Sequence, residues 1–128
     1  MSISNFVETK VMDALFNDAD PVLIKLSARY IKLHIGDPGE DGTANAATET
    51  TRKSITSAAS SDGVFTSTND LVWTNILGTE TLSYVSLWDT VGPAGGNCLW
   101  TGPITVPKAI IAGDTFTIAS TSLTVTLQ

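Results

Sequence analysis

The chain has one cysteine and one histidine in 128 residues. A lone thiol rules out an internal disulfide, and the apolar Leu99 and Trp100 that follow Cys98 make it read as a small buried hydrophobe rather than a reactive group. A zinc site would lack sufficient His and Cys ligands. No family signature surrounds Cys98 or His34, so Cys–His catalysis has no foothold, and neither a catalytic residue nor a cofactor is expected. Charge is scarce as well, 16% of residues against roughly 25% in an ordinary soluble domain. The 7 basic residues are scattered and outnumbered by 13 acidic ones, for a net charge of −6. No basic stripe exists to neutralise phosphates, which argues against nucleic acid and anionic membranes as partners. Apolar runs are as short as Val22-Leu23-Ile24, far below the ~20 residues of a membrane helix. No basic start followed by an apolar stretch marks a signal peptide, so the chain reads as made and kept in a cytoplasm.

What is present points to one mainly β domain. Hydrophobic residues make up 42% of the chain, enough for a core at this length. The 19 Thr and 12 Ser suit the outward faces of strands better than those of helices. A surface so poor in charge suits a subunit packed into an assembly.

Near the N-terminus, Asn5 and Glu8 have capping-box spacing, and Phe6, Val7, Val11, Met12, Leu15 and Phe16 recur at helical intervals. This pattern predicts an amphipathic helix over 5–17, stopped by Asn17-Asp18-Ala19-Asp20-Pro21. Its six apolar residues are the expected subunit interface. Residues 22–26 fit either a short helix or an extended lead into the first strand. From Ala28 onward the period is two, predicting strands at 28–35, 52–58, 63–67, 70–76, 81–89, 97–104, 114–119 and 122–127. Strand 81–89 carries large apolar groups on both faces and is expected at the sheet centre. The fold expected is an antiparallel β-sandwich, jelly-roll-like, over 21–128, with the helix of 1–20 covering an open end or reaching a neighbour.

Few constellations could carry chemistry. His34 alternates with apolar neighbours and reads as a half-exposed strand residue. The turn Asp37-Pro38-Gly39-Glu40-Asp41-Gly42 offers oxygen ligands, which makes calcium conceivable, but EF-hand spacing is absent and a solvated turn is the better reading. Residues 43–51 read as a long surface loop, and Gly92-Pro93-Ala94-Gly95-Gly96 as a mobile loop rather than a phosphate cradle. Trp73, Trp88 and Trp100 read as core. A sugar platform would need one exposed beside acceptors, and Trp88 with Asp89 and Asn97 is the one such grouping.

Several runs in this order resemble a known family. They are Tyr30-Ile31-Lys32-Leu33-His34-Ile35-Gly36-Asp37-Pro38-Gly39-Glu40-Asp41-Gly42-Thr43-Ala44-Asn45, then Arg52-Lys53-Ser54-Ile55, then Tyr84-Val85-Ser86-Leu87-Trp88-Asp89. Gly113-Asp114-Thr115-Phe116-Thr117-Ile118-Ala119 and Leu123-Thr124-Val125-Thr126-Leu127 close the succession. Together they resemble small structural proteins of tailed bacteriophages, labelled tail-fibre-like or virion proteins. The resemblance implies a non-enzymatic particle component and supplies no catalytic residue. The expectation is an exterior oligomeric tail module in the virion, a homotrimer contacting other virion proteins. A decoration protein on the capsid and a carbohydrate-binding module for host attachment are the alternatives.

Overall fold

The structure, a computed structural model, describes residues 2–16 and 28–126. The undecided stretch 22–26 lies outside the described residues. The elements in chain order are β1 (Ser2–Ile3), α1 (Asn5–Phe16), β2 (Tyr30–His34), β3 (Lys53–Ser54), β4 (Val64–Thr66), β5 (Leu71–Trp73), β6 (Glu80–Trp88), β7 (Cys98–Ile110), β8 (Phe116–Ile118) and β9 (Thr124–Thr126). The protein is mainly β, with antiparallel pairing throughout these strands and one helix.

Five strands form the main sheet in the order β1-β7-β6-β2-β3, which puts β6 at its centre as its two-faced apolar pattern predicts. The second layer is split into two ribbons, β4-β9 and β5-β8. Register sorts the residues of the main sheet. Ile31 pairs with Leu87 and Leu33 with Val85, so these four side chains share one face. That face packs in the main core with Leu71, Trp73 and Phe116 of the second layer, where the Trp73 and Phe116 rings sit 5.8 Å apart. The opposite face carries Tyr30 opposite Trp88, Lys32 opposite Ser86, and His34 opposite Tyr84.

Turn chemistry fixes the connections. Asp62 and Gly63 both have positive φ, as a two-residue I′ turn requires, and Ser61 and Val64 exchange backbone hydrogen bonds across it. Within β7 the register jumps from Lys108 opposite Leu82 to Pro103 opposite Tyr84. Residues 104–107 thus face Ser83 alone, a surplus of three; Ile104 still packs against the core while Val106 is 74% exposed. Pro103 and Pro107 bring no backbone N–H to this segment, where β1 no longer covers β7.

The helix starts one residue away from its expected cap. Ser4, not Asn5, sits at the N-cap: its Oγ accepts from the Val7 N–H at 3.4 Å and its carbonyl accepts from Glu8 N at 3.0 Å. The same hydroxyl donates to the Cys98 carbonyl, so the cap also anchors the helix to β7. Ser4 is buried, whereas no residue within α1 is. Phe6 and Val7 pack against the core cluster, and a cavity of about 340 Å³ remains between them and Leu87, Leu99 and Trp100.

Candidate functional site

Two places concentrate unusual features: the second face of the main sheet and the outer side of α1. The sheet face is built on β2 and β6. A strand's period of two sends Lys32 and His34 to this side, and the segment 37–52 then folds back over it. The chain turns through Asp37, whose Oδ1 accepts from Gly39 N at 2.9 Å, and Asp41, whose Oδ1 accepts from Thr43 N and Oγ1. The acidic side chains thus serve the turn's own backbone. Ala47 N donates to the Leu33 carbonyl and Ile35 N to that of Asn45, so the returning segment runs along the end of β2.

This arrangement corrects three expectations. His34 is not half-exposed but 0% exposed, because the returning segment covers it. Residues 43–51 are not a free surface loop: Ala47 and Glu49 are buried, and the Glu49 carboxylate accepts from Thr51 N and Leu77 N. The 92–97 loop is tied rather than loose, since Thr90 Oγ1 donates to the Gly95 carbonyl and Asp89 accepts from both the backbone and side-chain nitrogens of Asn97.

Beneath these segments lies a buried polar chain. Because a carbonyl can only accept, the 2.9 Å contact between His34 Nδ1 and the Ala44 carbonyl puts the proton on Nδ1. Nε2 is then an acceptor, and the Ser86 hydroxyl donates to it at 2.7 Å. Ser86 Oγ in turn accepts from Trp88 Nε1–H at 2.6 Å. Burial, helped by the charges of Lys32 and Arg52, lowers the His34 pKa below its ordinary value, while its bonds to the backbone at Ala44 and Asn45 oppose the shift. Ser86 is as inaccessible as His34, so this Ser–His pair has no route to a substrate.

Arg52, not singled out by the sequence, closes the site. Its guanidinium stacks 4.1 Å from the Trp88 ring centroid, and its Nη1 donates to the Thr90 and Gly95 carbonyls and to Thr90 Oγ1. Lys32 Nζ lies 5.9 Å from the same ring. Burial lowers the pKa of both cations, and for Lys32 the Arg52 charge adds to it. Trp88 is only 4% exposed and packs as core, with Asp89 and Asn97 joined to one another beside it. The three candidate binding residues are therefore brought together, but the indole lies under two cations. Cys98 sits against the other side of this cluster, and burial pushes its thiol up to about 11. Arg52 opens both an expected strand and one run of the family resemblance, but neither signal says that its side chain reaches Trp88.

The six helix residues divide. Phe6 and Val7 face the protein's own core, and Val11 lines the cavity beneath the helix. Met12, Leu15 and Phe16 are 55%, 68% and 78% exposed. Spaced three and four positions apart, they share one side of the helix.

The protein is thus a mainly β sandwich in which His34, Ser86 and Arg52 are engaged by the protein's own groups, and whose helix leaves Met12, Leu15 and Phe16 exposed. In a comparison of the sequence with family models, the family described as Podophage GP4 fiber I protein gp80 matches residues 2–126, and the chain belongs to it. It is thus a tailed-phage fibre-type virion protein. Among curated proteins no sequence matches the chain.

Proposed function

We propose that the protein is a non-enzymatic subunit of a phage tail fibre that assembles through the outer side of α1, with copies of itself as a homotrimer and with other virion proteins. The observation that carries this is the exposure of Met12, Leu15 and Phe16 on a helix that contributes no buried residue to its own domain. Covering each such side chain contributes on the order of 1.5–3 kcal/mol, which works against the entropy cost of association and grows with the number of subunits that meet. The fibre family supplies the setting, and the low-charge Thr-rich surface suits close packing.

Sedimentation equilibrium of the whole chain tests this. The wild type should give a mass of several 13.5 kDa subunits. The double variant Leu15→Glu/Phe16→Glu should sediment as a monomer while keeping the circular dichroism spectrum of the folded wild type. A monomeric wild type, or a double variant that associates as well as the wild type, would sink the reading.

A further inference from the structure

The sheet face under residues 37–52 carries an inference of its own. We infer that His34, by its neutral hydrogen-bonding role between Ser86 and Ala44, is an acid-sensitive latch that holds the 37–47 segment against the end of β2.

The chain of bonds requires one particular proton arrangement. Ser86 donates to Nε2, and the Nδ1 proton goes to the Ala44 carbonyl. A second proton on the ring turns Nε2 into a donor. Ser86 Oγ already accepts from Trp88 Nε1 and would have to accept again, while its own hydrogen loses its acceptor. The bond to Ala44 survives this change. The weak plane therefore falls beneath the His34 imidazole and the segment bonded to it, with the β2 and β6 backbones together on its inner side.

The surrounding charges make that plane weaker still. Lys32 on His34's own strand and Arg52 in the stretch leading into β3 are both cationic, and each disfavours a positive imidazole. Tyr84 stands opposite His34 on β6. The carboxylates at this end of the sheet are already engaged, Asp41 with Thr43 and Asp89 with Asn97. The Cys98 thiol on β7, pushed up to about 11, stays neutral in this range. Among the described residues these carboxylates are held by other donors, and the imidazole's own bonds run to Ala44 and Ser86 instead. Outside, water can solvate an imidazolium. Acid must then favour the conformer in which His34 leaves Ser86 and carries Ala44 with it.

The sign follows from linkage. The closed form holds the lowered value and the open form the ordinary imidazole value near 6.5, so below that value the open form binds the extra proton. Closure is fully favoured above about pH 6.5 and weakens by up to about tenfold for each pH unit below it, until the closed-state value is reached.

Two measurements on the full chain test this. His34 is the sole histidine, so its imidazole carbon-bound proton resonances in the NMR spectrum report it without ambiguity. Their titration midpoint should fall below the ordinary value. Hydrogen exchange, corrected for intrinsic rates, should show the Ile35 and Ala47 amides losing protection progressively below about pH 6.5, by at most about tenfold per pH unit, with the β6–β7 amides unchanged. His34→Gln can present a donor and an acceptor but cannot gain a proton, and should remove the pH dependence at those amides. A midpoint at or above the ordinary value would overturn the latch. So would an acid loss of protection shared equally by β6 and β7, or one that persists in His34→Gln. If that variant does not fold, the wild-type titration and the location of the exchange changes decide alone.

Discussion

At the scale of single residues, Gly39 and Gly42 look alike in sequence and occur within one turn, with φ of 72° and 73°. Their surroundings differ. A Cβ on Gly39 would meet only Asp41 Oδ1, at an ordinary 3.6 Å. A Cβ on Gly42 would lie 2.6 Å from Cys98 Sγ and 2.9 Å from Trp88 Cζ2, because here the turn's backbone docks directly on the sheet. Gly39→Ala should therefore cost about 1 kcal/mol, the backbone penalty alone. Gly42→Ala should cost about 1–3 kcal/mol more for the clash. Denaturant titration of the two variants checks this, and Cys98→Ala should recover part of the Gly42→Ala loss but none of the Gly39→Ala loss. That a turn stands here was legible from its Pro and Gly positions. Which glycine touches the sheet was not, since the contact joins positions 56 residues apart (98 minus 42) and leaves no local mark. The burial of Arg52 escaped notice for the same reason: a single arginine between polar residues has the pattern of a solvated one.

Elements were legible in proportion to the length of their periodic signal. Helix α1 was expected over 5–17 and is found at Asn5–Phe16, and β6 was placed at the centre because both its faces are apolar. β1 was missed, since two residues carry no period and gain their pairing only from β7. The His34 side of β2 was misjudged because alternation assigns residues to two faces without saying whether the second is covered. The helix start shows how tertiary contact overrides a motif. Asn5 and Glu8 offer a capping box, yet Ser4 caps the helix because its hydroxyl also reaches the Cys98 carbonyl of the neighbouring strand. Ser4→Ala removes both interactions and should cost about 1–3 kcal/mol, with helical circular dichroism lost ahead of the sheet signal on heating. Asn5→Ala should stay within about 0.5 kcal/mol of the wild type, since Asn5 is an exposed first-turn residue. An equal loss in the two variants would return the cap to Asn5. The anchoring also means that assembly is best probed by substitutions at the helix tip, because truncation would remove β1 and Ser4 along with it.

For the whole molecule, the three parts of the chain that sequence reasoning treated separately meet at one residue, Cys98. The N-terminal segment reaches Cys98 through Ser4, the acidic turn through Gly42, and the sheet through β7 itself, while the thiol donates to the Trp100 carbonyl at 3.7 Å. Exposing this thiol requires the turn to lift from the sheet, or the whole domain to unfold. Burial raises the thiol to about 11, an effect Asp41 reinforces and the bond to Trp100 and the charge of Arg52 oppose. At pH 8 roughly one thiol in a thousand is then thiolate, even before access is considered, against about a quarter for a free cysteine. Since the latch at His34 is closed at that pH, the turn should stay down and labelling should follow global unfolding. The expected result is slow reaction of the native chain with a disulfide reagent such as dithionitrobenzoate. The opening free energy derived from the labelling rate should fall with urea at a slope equal to the equilibrium m-value, which reports the surface exposed on complete unfolding. A slope much smaller than that, at low urea, would mean that the turn opens by itself at pH 8. It would show that Gly42, His34 and Ser4 do not act as one cooperative unit with the sheet.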